Sequence, residues 1–166
     1  ITSVFDEFTV LENATLAARG ARRNAFDFWK GLLDDEVSLA AAKRGIQAAG
    51  LDPRTQALAS ELGYGERRQL ELAMALAAEP KFLLLDGPMA GMSVQESAAV
   101  VELLKTLKKQ YTILLVEHDM NAVFALADRI SVLVYGRILV TGTPEEIRGN
   151  EEVRAIYLGD EEISES

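Results

Sequence analysis

Two ionisable side chains stand at the ends of short apolar runs in the second half of the chain. Asp86 ends the segment KFLLLD, and His118, the single histidine of the sequence, follows the segment TILLVE. Runs of this length and composition are typical of buried parallel strands. A carboxylate at the carboxyl end of such a strand suits Mg²⁺ or its water shell, because open α/β sheets bind ligands at that edge. The two residues indicate a candidate site, with a helix-capping aspartate and a structural histidine as the alternatives.

A glycine-containing turn in the segment ELGYGERRQLELAMAL opens a predicted helix. Gly63, Tyr64 and Gly65 lie at the start of this helix, and Glu66 follows them. The amino terminus of a helix exposes unpaired N–H groups and the positive end of the dipole, and glycines let the backbone approach a phosphate. The alternative is an ordinary glycine turn before an amphipathic helix.

The first half of the chain predicts three helices. The first starts at a capping box formed by Thr9 and Glu12, the second covers residues 36–49, and the third begins near Gly65. The third helix carries its apolar residues on one face, which comprises Leu70, Ala73, Met74 and Ala77.

The second half alternates strands with helices. The segments KFLLLD and YTILLVE predict strands that are covered on both faces, and a helix over residues 94–109 lies between them. Its predicted apolar stripe consists of Val94, Ala98, Val101 and Leu104. The segments RISVLVY and RILVTG predict two more strands around Tyr135 and Gly136. The alternation of strand and helix predicts an α/β fold with a parallel sheet.

The composition limits the classes of partner. The chain of 166 residues has 17 basic and 26 acidic residues and a formal charge of −9, which argues against nucleic acid as a partner. No apolar run approaches the roughly 18 to 20 residues of a membrane span. The absence of cysteine fits the cytoplasm. The chain begins at Ile1 in the body of a domain, which we interpret as a fragment or a processed product.

Taken in order, these motifs resemble the ATP-binding subunit of an ABC transporter. The segment LGYGERRQLELAMALAAEPKFLLLDGPMAGM is similar to the signature motif that runs into Walker B and the D-loop. The segment TILLVEHDM resembles the switch-histidine strand. The ending GTPEEIRGNEEVRAIYLG most resembles the ATPase subunits of branched-chain amino acid importers, and the lipopolysaccharide-export ATPase is a weaker match.

The resemblance implies a fold and a set of partners. The fold is the C-terminal part of a RecA-like P-loop NTPase core, with a mostly parallel sheet, plus an ABC-type α-helical subdomain. We expect the helical subdomain at residues 1–79, the second half of the core at 80–158 and an acidic tail at 159–166. The implied partners are a second ATP-binding subunit in a head-to-tail dimer and membrane permease subunits, with no nucleic acid. The implied location is the cytoplasmic, inner face of the cell membrane.

The resemblance also assigns residues to an ATP site. Asp86 would hold the Mg²⁺ shell, and His118 would contact the γ-phosphate. The residues that would face the ATP held by the partner subunit are Gly63, Tyr64, Gly65 and Glu66. Those that would cross the dimer interface are Ala90, Gly91, Met92 and Ser93.

The sequence departs from the family at three points. The phosphate-binding motif G-x-x-x-x-G-K-S/T does not occur, and the family places it upstream. Gly87 stands where the family has its catalytic glutamate, and loss of a general base typically costs about 10²- to 10⁴-fold in rate. The resemblance implies ATP and Mg²⁺ as cofactors of the intact parent, and we expect weak or absent binding and no activity in this chain alone. With the N-terminal half restored, we expect Mg-ATP to bind and Gly87→Glu to raise turnover. Gly63 replaces the usual signature serine, which weakens the resemblance only slightly because the backbone donors remain.

Two questions of function stay open at this stage. The segment FDFWKGLL, with Phe26, Phe28 and Trp29, either faces a permease or covers the small core of the helical subdomain, and we favour the second interpretation. The whole chain is either a working ATPase subunit or a degenerate subunit that binds a partner without turnover.

Overall fold

A computed structural model of the chain describes residues 4–22 and 31–158. The predicted aromatic segment around Phe26 and the acidic tail at 159–166 lie outside the described residues. The described helices and strands, in chain order, are α1 (Val10–Ala21), α2 (Glu36–Ala48), α3 (Tyr64–Ala77), β1 (Phe82–Asp86), α4 (Val94–Leu107), β2 (Thr112–Val116), α5 (Met120–Leu126), β3 (Ile130–Val134), β4 (Arg137–Gly142), α6 (Pro144–Gly149) and α7 (Glu151–Val153).

The α/β class is confirmed, and the chain divides into two compact units at residues 1–117 and 118–166. Within the described ranges, every helix is too short or too polar to cross a membrane.

Helix α1 begins as the sequence predicts. The backbone N–H of Glu12 donates to Thr9 Oγ1 at 3.1 Å, and the N–H of Thr9 donates to the Glu12 carboxylate at 2.8 Å. This reciprocal pair satisfies two backbone donors that the first turn of a helix leaves without partners. The capped end directs Val10 and Ala14 into the core, where both are fully buried.

The buried Asn13 fixes the segment that precedes α1. Its side-chain oxygen accepts the N–H of Phe5 at 2.8 Å, and its amide nitrogen donates to the carbonyl oxygen of Phe5 at 3.0 Å. A buried amide that is hydrogen-bonded in this way specifies one conformation of the segment, because an unpaired amide would be costly.

Helices α2 and α3 approach each other closely at Gly45. A Cβ atom on this residue would lie 2.5 Å from the carbonyl oxygen of Ala73 and 2.8 Å from the backbone nitrogen of Ala77. Only a glycine therefore allows this separation of the two helices. The predicted apolar face of α3 is confirmed, since Leu70, Ala73, Met74 and Ala77 are all buried.

Strands β1 and β2 form a parallel pair, in register from Phe82 opposite Thr112 to Asp86 opposite Val116. The prediction that both faces are covered is wrong. Leu83 is buried, whereas Leu84 is 64% and Leu114 is 51% exposed on the other face. Helix α4 packs through Val100, Leu104 and Leu107, so the predicted stripe is wrong at Val94 and Ala98, which are exposed. The face that α4 buries is thus rotated from the predicted one.

The second unit is built on an antiparallel hairpin of β3 and β4. Tyr135 and Gly136 both have positive φ, 49° and 76°, which suits the two-residue turn that joins the strands. Among the described strands, β1 and β2 form a parallel pair, and β3 and β4 form an antiparallel pair within the second unit. The core of the unit consists of Ile130, Val132, Ile147 and Val153.

Candidate functional site

Asp86 lies at the exposed carboxyl end of β1. Its neighbour across the ladder is Val116, and the N–H of Gly87 donates to the carbonyl oxygen of Val116 at 2.8 Å. A single carboxylate in this position fits Mg²⁺, which commonly binds one or two carboxylates and takes its other ligands from water and phosphate. In the described ranges we find no cluster of three acidic, histidine or cysteine side chains that could hold a metal alone.

The loop that follows β1 is a compact turn stabilised by backbone hydrogen bonds. Gly87 has φ +54°, and its carbonyl oxygen accepts the N–H of Ala90 at 3.0 Å. The N–H of Met89 donates to Glu117 Oε1 at 3.0 Å, which connects the loop to the end of β2. Met89 itself is buried. The loop conformation is therefore set by glycine at position 87 and by the carboxylate of Glu117.

The turn at residues 63–66 opens α3 as the sequence predicts. Gly63 is in an extended conformation at the amino cap, and its N–H donates to the Glu66 carboxylate at 3.1 Å. The second oxygen of Glu66 lies 3.2 Å from Arg54 Nε. Because Glu66 satisfies the cap and pairs with Arg54, its carboxylate stabilises the shape of the turn.

Tyr64 connects this turn to the loop at residues 90–93. Its hydroxyl donates to the carbonyl oxygen of Ala90 at 2.8 Å and accepts a hydrogen bond from Arg68 at 3.3 Å. Hydrogen bonds to Glu71 and then to Tyr64 raise the pKa of Arg68 above its usual value. Gly91, at φ +77°, leaves room for the ring, since a Cβ atom there would lie 3.2 Å from the Tyr64 hydroxyl oxygen. The two loops are thereby fixed against each other.

A second contact joins the same two loops through Glu96. The Glu96 carboxylate accepts the N–H of Ser93 at 2.9 Å and its hydroxyl at 2.7 Å, forming the capping box of α4. These hydrogen bonds lower the pKa of Glu96 below its usual value. A Cβ atom on Gly65 would lie 2.9 Å from Glu96 Oε1, so the small residue at position 65 admits this side chain.

Comparison with known proteins identifies the family. The sequence model described as "ABC transporter" matches residues 2–90, which is more than half of the chain. The chain belongs to the ABC transporter ATP-binding family. A second model, described as "Branched-chain amino acid ATP-binding cassette transporter", matches residues 137–163.

Curated relatives of this ABC chain include proteins named for amino acid transport. LivG of Salmonella typhimurium, named as a high-affinity branched-chain amino acid transport ATP-binding protein, is 37% identical over 95% of this chain. BraF of Pseudomonas aeruginosa, with the same description, is 32% identical over 95% of the chain. LptB of Haemophilus influenzae, a lipopolysaccharide export system ATP-binding protein, is 35% identical over 96% of the chain. The chain spans 64% of the length of LivG and BraF.

Solved structures support the fold of the ABC chain. An ATP-binding cassette of an ABC transporter in its ADP conformation superposes with a TM-score of 0.75 at 24% identity, over 93% of this chain and 64% of that one. An inward-facing putative metal-chelate type ABC transporter superposes with a TM-score of 0.78 at 24% identity, over 96% and 61% of the two chains. These similarities establish the fold.

His118 lies between β2 and α5, at the start of the second compact unit, and its side chain is exposed. The next residue, Asp119, caps α5 by accepting the N–H of Ala122 at 3.1 Å. The assignments of His118, Asp86 and the two loops to an ATP site stay predictions.

Two features of the site were missed at the level of sequence. The hydrogen bond from Tyr64 to Ala90 within one chain was not predicted. The two residues are 26 positions apart, and no sequence pattern links a tyrosine to an alanine carbonyl at that separation. Glu117 was given no role, although an acid directly before the single histidine, at the end of an apolar run, was a usable signal.

Proposed function

We propose that this chain forms part of the ATP-binding subunit of an ABC importer for branched-chain amino acids or similar solutes. In this proposal residues 1–79 form the helical subdomain and residues 80–158 the second half of the ATPase core. The observation that carries it is the contact of Tyr64 with Ala90 at 2.8 Å, beside the loop that begins after Asp86. This contact joins the signature-like turn, the D-loop-like turn and the end of β1 into one arrangement.

In this proposal the chain contributes to two ATP sites, through Asp86 to the nucleotide of its own subunit and through the turn at residues 63–66 to the nucleotide held by the partner subunit. Asp86 would hold the Mg²⁺ that accompanies the nucleotide, since it presents an exposed carboxylate at the ligand-binding edge of a parallel pair. The turn at residues 63–66 presents backbone N–H groups at the start of a helix of 14 residues, and residues 90–93 lie beside it. The assigned role of His118 is to contact the γ-phosphate.

The proposed partners follow from the same assignment. The residues at 63–66 and 90–93 would meet the nucleotide and the surface of a second ATP-binding subunit in a head-to-tail dimer. Permease subunits in the membrane would hold this dimer at the cytoplasmic face. Binding of ATP would close the dimer, and hydrolysis would reopen it, which couples the chemistry to transport.

The test is a titration of the full-length protein with ATP, in the presence of Mg²⁺ and in the presence of a chelator. We expect binding that is tighter with Mg²⁺, and we expect Asp86→Asn to reduce that difference because it removes the charge of the ligand but keeps the shape. Glu102→Gln is the matched control, because Glu102 pairs with Lys105 on the exposed face of α4. Absence of ATP binding in the unmodified protein would overturn the proposal.

A degenerate subunit that binds a partner without turnover is the second candidate. Gly87 favours it, because a residue without a side chain cannot orient water, and φ +54° disfavours any other residue there. A subunit of this kind would still dimerise or hold a permease while hydrolysing no ATP. Steady-state release of phosphate by the full-length protein separates the two candidates.

A lipopolysaccharide-export ATPase is a further alternative, favoured by the 35% identity to LptB. The C-terminal match to the branched-chain amino acid model supports the importer instead. Uptake of radiolabelled leucine by cells with and without the gene distinguishes the two, since only the importer predicts a loss of uptake.

A further inference from the structure

Transfer of a phosphoryl group to water requires a residue that positions the attacking water. Gly87 cannot do this, and its φ of +54° together with the following Pro88 makes a side chain unfavourable at this position. A carboxylate of this chain that positions the water would therefore belong to another element that reaches the loop after β1.

Glu117 is the carboxylate that reaches this loop. Asp86 is paired with Val116, and the N–H of Gly87 donates to the carbonyl oxygen of Val116 at 2.8 Å, so Gly87 lies beside the residue that precedes Glu117. The Glu117 side chain extends over the loop, where Oε1 accepts the N–H of Met89 at 3.0 Å.

Glu117 contacts the loop after β1, whereas the other acidic side chains nearby act at the starts of helices or at the end of β1. Glu66 accepts the N–H of Gly63 and lies 3.2 Å from Arg54. Glu96 closes the capping box with Ser93. Asp86 is the metal-binding candidate. A carboxylate offers about four acceptor sites, and Glu117 Oε1 uses one of them for the N–H of Met89.

We infer that Glu117 takes the place of the missing carboxylate at position 87 and acts on the attacking water. The inference rests on the proposed ATP site. In the step, the water oxygen forms a bond to the γ-phosphorus while one water proton passes to the Glu117 carboxylate. The bond between the γ-phosphorus and the oxygen that bridges it to the β-phosphate breaks, and ADP leaves with that electron pair. The proton is later released to solvent together with phosphate.

The experiment compares three substitutions in the full-length protein with its permease. Glu117→Gln keeps the oxygen that accepts the Met89 N–H but loses the charge, Glu117→Asp keeps the charge on a shorter side chain, and Glu117→Ala loses both. We expect Glu117→Gln to lower kcat by roughly 10²-fold or more, as loss of a general base does, with ATP affinity unchanged. Glu102→Gln controls for the loss of one surface carboxylate.

The ranking of the variants separates catalysis from structure. If Glu117 acts on water, Glu117→Asp retains more turnover than Glu117→Gln. If Glu117 only fixes the loop, Glu117→Gln matches the unmodified protein and Glu117→Asp is the poorer of the two, which overturns the inference. Circular dichroism and the ATP titration verify that each variant is folded and binds nucleotide.

The same experiment distinguishes the failure of this inference from failure of the proposed function. A protein that binds Mg-ATP but releases no phosphate remains an ATP-binding subunit, and the catalytic role of Glu117 is then wrong. A protein that binds no ATP loses the proposed function itself. Normal turnover in all three variants would support the ATP site and show that Glu117 has no catalytic role in it.

Discussion

The three-helix region of α1, α2 and α3 and the strand pair of β1 and β2 differ in how they bury apolar side chains. Ile46 and Leu70, at the helix contacts, are 1% and 0% exposed, whereas Leu84 and Leu114 on the strands are 64% and 51% exposed. Parallel strands are ordinarily covered on both faces. The helices that carry the signature-like turn are stabilised by their own core. The strands β1 and β2, which end at Asp86 and directly before Glu117, depend more on the hydrogen bonds of the ladder and of their ends.

The largest expected effect on stability comes from replacing one leucine by alanine in each region, which tests the difference in burial directly. Leu70→Ala removes a fully buried side chain and leaves a cavity, so we expect a loss of about 2–5 kcal/mol in the free energy of unfolding. Leu84→Ala removes a side chain that is already largely in solvent, and we expect a loss below about 1 kcal/mol. Urea unfolding followed by circular dichroism measures both. Equal losses would show that the face of β1 is covered in solution.

A smaller effect on stability is expected from a substitution at the contact between α2 and α3. Gly45→Ala places a methyl group against the backbone of Ala73 and Ala77 and must push α2 away from α3, so we expect a loss of about 1–3 kcal/mol. Gly20→Ala is the matched control, because a Cβ atom there meets nothing within 4 Å. It should stabilise α1 by up to about 1 kcal/mol through helix propensity. If both substitutions stabilise the protein, the close approach of α2 and α3 is not a constraint.

Much of the fold was predictable because local rules decide it. The capping box of Thr9 and Glu12, the apolar face of α3 and the hairpin turn at Tyr135 each follow from short-range spacing, and the structure has all three. The buried faces of β1 and α4 were not predictable. A continuous apolar run such as FLLL looks the same whether one or both faces are covered, so the exposure of Leu84 depends on what packs there.

The candidate site was predictable as a set of residues and less so as a geometry. The positions of Asp86, Gly87 and the two glycine turns follow from motif order along the chain. The hydrogen bonds from Tyr64 to Ala90 and from Met89 to Glu117 join residues 26 and 28 positions apart, and no local pattern encodes them. The conformation of Gly87 was also missed, since spacing does not reveal a positive φ.

That conformation gives a third prediction, at the end of the strand pair. Gly87→Ala should destabilise the protein by about 1–2 kcal/mol, because the left-handed conformation is unfavourable for a residue with a Cβ atom. Space is not limiting, since the nearest atom to that Cβ would be Ala90 Cβ at 3.5 Å. Gly87→Glu carries the same backbone cost, so the expected gain in turnover requires the loop to change shape. Thermal unfolding of both variants measures the cost, and an unchanged melting temperature would contradict it.

The smallest expected effect is the pH dependence of the stability that the helix caps contribute in the two regions. Hydrogen bonds from the backbone and hydroxyl of Thr9 lower the pKa of Glu12 below its ordinary value of 4.5. A carboxyl whose pKa is lowered in the folded state contributes stability above its ordinary pKa and loses it as pH falls through the lowered value. Thr9→Ala should therefore cost about 1 kcal/mol at pH 7, and the cost should shrink in acid.

Ser93→Ala at the start of α4 tests whether the strand side behaves in the same way. Hydrogen bonds from Ser93 lower the pKa of Glu96, so the direction of the pH dependence is the same as for Thr9. The Thr9 hydrogen bonds are partly buried, whereas those of Ser93 are exposed to water. Water competes for exposed hydrogen bonds, so we expect the smaller loss for Ser93→Ala at pH 7. Melting temperatures of both variants and the unmodified protein between pH 7 and pH 3 measure the two losses. A larger loss for Ser93→Ala would mean that the loop after β1 depends on its cap more than the three-helix region does.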